Sequence, residues 1–355
     1  MPASSVRTPA RSAPARLRTF RDFCEASLYD PEQGFYARRK PTEHFYTAPE
    51  LHPAFGWSLA RAVARWCDAL RSRSVPPPYT IVEMGSAGGG LTRQLIDGLR
   101  RERPDLAADL RWVLVERSCG HLQESLARLP ELEHPALGFS DLAEVPSCRG
   151  IFLSNELVDA LPFHVLEKRE GQVWELYVDS SGAAVLGGLS TPALAVHARA
   201  VAESLEEGQR HAVSLEAAAW LSRVASRLEC GVLATIDYGK RFGPGDVNAP
   251  RTYRRHVVDD HLLAAPGQQD LTAPADFSAL IAQGERLGLA CKSFSSMARF
   301  LLDCGLLDWL PAGSDPATMA ERAKLKTLVH PEGMGEAFKV LVQSRGLARP
   351  GGPAC

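Results

Sequence analysis

A glycine-rich stretch at residues 85–90 is the first feature that could do chemistry. It reads GSAGGG after an apolar run, and Gly85, Ala87 and Gly90 match a dinucleotide fingerprint with alanine in the middle. A strand that passes through such a turn into a helix brings backbone N–H groups close to a ligand, because glycine has no Cβ to clash. Many glycine runs are only tight turns, so this stretch alone leaves both interpretations open.

Glu116 closes the next predicted strand, where a carboxylate can accept hydrogen bonds from both hydroxyls of a ribose. It follows the glycines at a longer spacing than NAD enzymes use, which argues against a dehydrogenase. The alternative is a solvated carboxylate at the end of a strand.

The stretch 155–159, NELVD, brings two carboxylates and an amide together after the third predicted strand. Glu156 and Asp159 are three residues apart, so a turn or first helical turn would put both on one side. Two carboxylates there could clamp a cationic acceptor and take up a proton, and Asn155 could add a fixed amide. The alternative is a helix N-cap.

Asp237 and Tyr238 end the fourth predicted strand at the same edge of the sheet. A buried aspartate there could pair with an incoming cation or could anchor the turn at Gly239. The residues leave the two alternatives open.

These side chains need a scaffold that brings strand ends together, and the apolar pattern predicts one. Apolar runs predict strands at residues 79–84, 112–115, 150–153, 231–236 and 337–342. Apolar residues at helical spacing predict amphipathic helices over 55–70, 91–99 and 217–228. Strands alternating with helices predict an α/β fold with a parallel, doubly wound sheet that binds ligands at the carboxyl ends of its strands.

Composition limits the class of protein. The chain has 355 residues, 45% hydrophobic and 23% charged, as in globular proteins that fold in water. A net charge of −2 argues against a basic nucleic-acid surface, and no apolar run reaches the length of roughly 20 residues that a membrane helix needs. Eight scattered cysteines without a CxxC pair favour reduced thiols over a metal cluster or a disulfide framework.

Composition also divides the chain. Residues 1–19 are rich in arginine, alanine and proline, which predicts a disordered bacterial leader or, as the alternative, a mitochondrial presequence. The expected parts that follow are an N-terminal helical or lid segment (20–76), a cofactor-binding core (77–243), an inserted helical or irregular lid (244–310), a C-terminal completion of the sheet (311–346) and a tail (347–355).

On these residues, the sequence resembles the class I S-adenosylmethionine (SAM) methyltransferases and, more narrowly, the MidA-like family. That family includes the mitochondrial arginine methyltransferase of complex I assembly. The stretches that carry the resemblance run in the family's order over residues 20–341; they are FRDFCEASLYDPEQGFY, FYTAPELHPAFG, VEMGSAGGGL, VLVERS, LSNELVDALPF, ATIDYG, PGQQDLTAPADF and HPEGMGEAFKVL.

The resemblance implies a Rossmann-like class I methyltransferase sheet with an N-terminal helical segment and an inserted helical lid, and it implies SAM as the cofactor, with no metal. The residues implied for the cofactor are Glu83, Gly85 and Gly89 around the methionine moiety, Glu116 on the ribose, Asp141 near the adenine, and Thr47, Pro49 and Glu50 over the cofactor. Ala87 stands where the family usually has the second loop glycine. His256 matches a family histidine and could act as a base near neutral pH.

Three functions follow as hypotheses. The first is a methyltransferase for a protein arginine nitrogen, with Glu156 and Asp159 orienting the acceptor. The second is an O- or carboxyl-methyltransferase for a small molecule, helped by His256 or Tyr238. The third, motivated by Ala87, is a non-catalytic assembly factor. The expected compartment is the bacterial cytoplasm or, alternatively, the mitochondrial matrix; the sequence leaves open whether the chain forms a homodimer.

Overall fold

The computed structural model of the chain describes residues 17–38, 47–254 and 257–347. Its helices are α1 (Phe20–Tyr29), α2 (Phe35–Arg38), α3 (Ala48–Leu51), α4 (Ala54–Ser72), α5 (Gly90–Glu102), α6 (Cys119–Arg128), α7 (Leu194–Val201), α8 (Leu215–Arg227), α9 (Phe277–Arg286), α10 (Met297–Asp303), α11 (Pro316–Val329) and α12 (Met334–Ala337). Short 3₁₀ turns cover Pro104–Asp109, Leu142–Glu144 and Leu306–Trp309.

The strands are β1 (Arg18–Thr19), β2 (Tyr79–Met84), β3 (Leu110–Val115), β4 (Leu137–Phe139), β5 (Cys148–Asn155), β6 (His164–Arg169), β7 (Gln172–Val178), β8 (Ala184–Gly187), β9 (Arg210–Val213), β10 (Leu228–Lys240), β11 (Arg251–Arg254), β12 (Val257–Asp259), β13 (Asp270–Thr272), β14 (Ala275–Asp276), β15 (Ala290–Ser296) and β16 (Phe338–Arg345). Together the elements form two compact units, which we call the larger and the smaller unit.

The larger unit comprises the described residues of 46–158, 220–240 and 280–355. Its strands lie in the order β15-β16-β10-β5-β2-β3-β4. The strands β4, β3, β2, β5 and β10 are parallel, and β16 runs antiparallel to both of its neighbours. The chain builds the sheet outward from β2 to β4 and then returns to add β5, so the strand order reverses between β2 and β5. In sheets of this kind, ligands bind at the carboxyl ends of the strands at that reversal.

Amphipathic helices cover this sheet as the apolar spacing predicts. Phe55, Leu59 and Val63 of α4 and Leu95 of α5 are buried in one core with Ile81 of β2. The two helices approach closely at Gly98, where an added Cβ would lie 2.9 Å from the Cα of Trp57. A small residue is therefore required at that crossing.

The smaller unit comprises the described residues of 1–45, 159–219 and 241–279. Its main sheet is antiparallel in the order β1-β7-β6-β9, with β8 paired to β7, and a second antiparallel sheet has the order β12-β11-β13. A core that includes Phe20, Phe23 and Phe35 of α1 and α2 packs with Phe163 and Leu176.

The sequence-based division of the chain needs three corrections. Residues 159–219 were predicted within the cofactor-binding core, but they build most of the smaller unit as antiparallel strands. The insertion 244–310 was predicted to be helical or irregular, yet it contains β11 to β15, and from residue 280 it belongs to the larger unit. The segment 20–76 is divided between the two units. Most of the missed strands have only two to four residues, too few to produce a period-two apolar pattern.

Two glycines let the central strands approach one another. A Cβ on Gly150 in β5 would lie 2.1 Å from the carbonyl oxygen of Thr80 in β2, and a Cβ on Gly231 in β10 would lie 1.9 Å from the carbonyl oxygen of Gly150. Their φ angles are +150° and +145°, which side chains rarely adopt. The parallel ladder at the centre of the sheet therefore requires glycine at both positions.

Replacing Gly150 by alanine is expected to destabilise the protein by about 3 kcal/mol or more, because the methyl group would collide with backbone that cannot move aside. Urea denaturation measures this effect. Gly188→Ala is the control, since no atom lies within 4 Å of its added Cβ. Equal stability of the two variants would contradict the close-approach argument.

Candidate functional site

The glycine stretch forms a tight loop between β2 and α5. Gly85, Ala87 and Gly89 have φ angles of +74°, +44° and +72°, all in the left-handed region. The Gly85 N–H donates to the Val115 carbonyl at 2.8 Å, and the Gly89 N–H donates to the Ser86 carbonyl at 2.7 Å. Alanine at position 87 thus adopts the left-handed conformation between two glycines that do the same.

Glu116 connects this loop to the end of β3. Its Oε2 accepts a hydrogen bond from the Ala87 N–H at 2.9 Å, and its Oε1 accepts one from the Ser118 N–H at 2.9 Å. The side chain is half-buried, and an ionised carboxylate has about four acceptor positions. Glu116 is therefore fixed in orientation and retains acceptor capacity for ligand hydroxyls.

Glu83 lies inside β2 next to the loop and is 5% exposed. One of its oxygens accepts hydrogen bonds from the backbone N–H and the hydroxyl of Thr92 in α5. Burial raises the pKa of Glu83 to about 7, against the lowering effect of these bonds, and the charge of Glu116 raises it further. An approaching cation would favour the ionised form.

Polar atoms without a hydrogen-bond partner cluster at the carboxyl ends of β2 and β5. Among the described residues, Ser86 Oγ, Ser154 Oγ and Asn155 Oδ1 are buried and have no partner. Ser154 and Asn155 are the last two residues of β5, Ser86 follows β2 by two residues, and Met84 and Ser154 are paired in the parallel ladder. Buried polar groups are normally satisfied, and these can be satisfied by a ligand with amino, carboxylate or hydroxyl groups.

Glu156 follows β5 and has a left-handed backbone with φ +53°. Its Oε1 accepts hydrogen bonds from the Ala48 N–H and from Asn155 Nδ2, each at 3.1 Å. The segment that it contacts contains three predicted cofactor residues. Thr47 and Pro49 are half-buried, and Glu50 is exposed.

Asp237 is fully buried and accepts two backbone hydrogen bonds. Its Oδ2 accepts from the Val158 N–H and its Oδ1 from the Tyr238 N–H, both at 2.8 Å. These bonds fix the turn after β5, which favours the anchoring alternative, although the segment anchored is residue 158 rather than the turn at Gly239. Neither residue ends its strand, because β10 continues to Lys240; the Tyr238 ring lies 6.2 Å from that of Phe338.

Asp159 has its own set of partners, in the smaller unit. The Thr272 hydroxyl donates to Asp159 Oδ2 at 3.1 Å, and the Ala273 N–H donates to the Asp159 carbonyl at 3.3 Å. The expected helical turn from Glu156 to Asp159 is wrong, because Glu156 has positive φ and no helix forms there. The N-cap alternative is wrong for the same reason.

Two further predicted residues have simpler outcomes. Asp141 is exposed and caps the 3₁₀ turn Leu142–Glu144 by accepting from the Ala143 N–H at 2.8 Å. This contact leaves its predicted role at the adenine a prediction. His256 lies outside the described residues.

Sequence reasoning missed a group of residues that surrounds Asp159 in the smaller unit. Asp270 is 4% exposed and accepts a hydrogen bond from the Tyr36 hydroxyl at 3.1 Å. Burial raises the pKa of Asp270 to about 7, and the charge of Asp159 raises it further. Tyr36 stacks on Tyr29, with ring centroids 5.4 Å apart. The DLTA stretch that contains Asp270 and Thr272 is the sequence signal that marks this group.

Strand order and site together define a class of protein. A parallel sheet with one antiparallel strand, a glycine loop after β2 and an acid after β3 constitute the class I SAM-dependent methyltransferase fold. The predicted fold class is thereby confirmed. No helix in the described ranges combines the length and apolar character needed to cross a bilayer.

Comparison with known proteins gives the family. The sequence profile of the family described as "Putative S-adenosyl-L-methionine-dependent methyltransferase" matches residues 58–295, and the chain belongs to this family. It is 26% identical over 362 residues to the mitochondrial protein arginine methyltransferase NDUFAF7 of Danio rerio, covering 90% of this chain and 81% of that protein. The Homo sapiens protein of the same name is 25% identical, covering 90% of this chain and 78% of the relative.

A solved structure supports the same assignment. A protein from Burkholderia thailandensis, crystallised with S-adenosylhomocysteine (SAH) bound, superimposes with a TM-score of 0.78 at 26% identity. The match covers 94% of this chain and 89% of that one. The predicted SAM cofactor is confirmed by the matching SAM-dependent family and by this SAH-bound structure, to which the chain is similar.

The residues of the larger unit fit SAM. Gly85 and Gly89 have no side chains at the two left-handed turns of the loop, and the amino terminus of α5 offers backbone N–H groups to a carboxylate. Glu83 suits the cationic amino group, and Glu116 suits the ribose hydroxyls. When bound, SAM supplies an electrophilic methyl group; the protein's part is to orient it and to exclude water.

Replacing Glu116 by alanine is expected to weaken SAM and SAH binding about tenfold or more. The two ribose hydroxyls would lose their acceptor, and the glycine loop would lose the hydrogen bond from the Ala87 N–H. Isothermal titration calorimetry measures the change. Glu133→Ala, on the exposed surface, is the control. Unchanged affinity in Glu116→Ala would remove this residue from the cofactor site.

Replacing Glu83 by glutamine is expected to flatten the pH dependence of SAM binding. In the wild type, Glu83 is protonated below about pH 7 and must lose its proton to bind a cation. The contribution of Glu83 to SAM affinity therefore falls by up to about tenfold for each pH unit below 7. Titrations of both proteins between pH 6 and pH 8 separate this effect from the titration of SAM itself. Parallel profiles would show that Glu83 does not hold the cation.

Proposed function

We propose that the chain transfers a methyl group from SAM to a guanidinium nitrogen of a protein arginine. The observation that carries this proposal is the group formed by Asp159, Asp270, Tyr36 and Tyr29 in the smaller unit. Support from relatives comes from the animal proteins described above, which are named protein arginine methyltransferases.

The chemistry of this group suits a flat, delocalised cation. Two carboxylates whose charges act on one another gain most from a ligand that offers several N–H donors and a positive charge, which a guanidinium does. The stacked rings of Tyr29 and Tyr36 lie beside these carboxylates, and aromatic rings can bind such a cation through their faces. The raised pKa of Asp270 shows that ionising it in the folded protein is unfavourable, and a bound cation would relieve that cost.

The reaction balances without a further reactant. One guanidinium nitrogen forms the N–C bond as the S–C bond breaks, and the sulfur keeps the electron pair of that bond. The nitrogen loses a proton, for which a carboxylate with a pKa near 7 is a suitable acceptor. The products are methylarginine, SAH and a proton.

The compartment belongs to the same proposal. The animal relatives are named mitochondrial, which supports the matrix alternative, and the bacterial source of the similar crystal structure supports the cytoplasmic one. In either compartment we propose a protein acceptor.

Asp159→Asn and Asp270→Asn are each expected to lower methyl transfer about 100-fold, because they remove the negative charge that would hold the acceptor. SAH affinity is expected to change less than about threefold, because both residues belong to the smaller unit and the cofactor loop belongs to the larger one. The assay supplies labelled SAM to the proteome of a strain that lacks the gene and identifies the methylated amino acid after hydrolysis. Asp260→Asn, on the exposed surface of the same unit, is the control.

Label in methylarginine supports the proposal. Label in a small-molecule fraction, with activity retained in both aspartate variants, would instead support the O- or carboxyl-methyltransferase alternative. SAH binding without label in either fraction would contradict both.

A further inference from the structure

The short helix α3 is held by side chains from two other elements of the larger unit. Gln94 in α5 uses both ends of its amide. Its Nε2 donates to the Pro49 carbonyl at 2.6 Å, and its Oε1 accepts from the Gly56 N–H at 3.2 Å. One side chain thus binds both α3 and the start of α4.

The contact at Gly56 leaves no room for adjustment. A Cβ added to Gly56 would lie 2.2 Å from the Cβ of Gln94. The glutamine is therefore packed against the backbone it binds, and its amide has a fixed orientation.

Glu156 holds the other side of α3. Its Oε1 accepts the Ala48 N–H, and Ala48 is fully buried. Because an N–H in the first turn of a helix has no partner within the helix, an acceptor from elsewhere is needed. The second donor to the same oxygen, Asn155 Nδ2, keeps the carboxylate from rotating away.

Both anchors flank the ligand edge of the sheet. Gln94 is in the second turn of α5, the helix that begins directly after the glycine loop, and Glu156 is the first residue after β5. A segment tied to both elements is fixed with respect to the loop and to the unsatisfied polar atoms of β2 and β5. Left-handed backbone at Glu156 directs its carboxylate to Ala48 and is a local cost that this contact offsets.

We propose that Glu156 and Gln94 are positioning residues that hold α3 at the cofactor edge, so that retention of SAM and SAH depends on them. Glu156 accordingly acts on the cofactor side through Ala48 and does not clamp the acceptor. The Ala48 N–H and the Asn155 amide, which donate to Glu156 Oε1, are neutral groups, and a glutamine oxygen can accept from them equally. The inference rests on the SAM-binding part of the proposed function and is independent of the arginine acceptor.

The test measures SAH dissociation rates by stopped flow, affinities by calorimetry and exchange of the Ala48 amide hydrogen in full-length protein. Glu156→Ala and Gln94→Met are each expected to speed SAH dissociation about tenfold or more, and Glu156→Gln to stay within about threefold of the wild type. Amide exchange at Ala48 should accelerate most in Glu156→Ala, which removes the acceptor of that N–H. Gln94→Met preserves the volume packed against Gly56, and Gln123→Ala, exposed on α6, is the matched control.

Three outcomes separate the ideas. Loss of methyl transfer in Glu156→Gln, with normal SAH binding in all variants, would overturn the inference and make Glu156 an acceptor carboxylate. Normal dissociation in both Glu156→Ala and Gln94→Met would overturn it outright. Absence of SAH binding by the wild type would contradict the SAM assignment itself. If Glu156→Ala does not fold, Gln94→Met alone decides.

Discussion

The neighbouring parallel strands β2 and β5 are each followed by a sharp turn at the same edge of the sheet. The rest of the site depends on this constraint. After β2 the turn uses left-handed backbone at Gly85, Ala87 and Gly89, and after β5 it uses left-handed backbone at Glu156. Each turn brings its side chains and N–H groups over the strand ends. Glycines within the strands, such as Gly150, let the two strands approach closely enough for this arrangement.

Three buried carboxylates of the chain differ in their hydrogen-bond partners. Asp237 is fully buried, and each of its oxygens accepts a backbone N–H, so it stabilises a turn. Glu83 and Asp270 are also buried, at 5% and 4% exposed, and burial raises the pKa of each to about 7. Because burial disfavours the ionised form of each, a cation bound nearby would lower its pKa.

The two acids of the NELVD stretch have different hydrogen-bond partners. Its glutamate contacts α3 beside the cofactor loop, whereas its aspartate is bound by the Thr272 hydroxyl. Glu156 and Asp159 therefore contact different elements, although a single helical turn would have placed them on one side. The left-handed conformation of Glu156 produces this separation.

The sequence by itself determined the fold class and the cofactor. Apolar runs, helical spacing and a glycine loop are local signals. Each is read from neighbouring residues, because backbone sterics and burial depend on residue type at each position. The SAM cofactor was implied by the resemblance of longer motifs to a methyltransferase family, and the family match confirms that family. The tertiary structure decided the contacts between distant residues. Glu156 meets Ala48 across 108 positions, and Tyr36 meets Asp270 across 234. No local pattern predicts such pairs. They form only when whole elements pack and bring together hydrogen-bonding groups that have no partner within their own element.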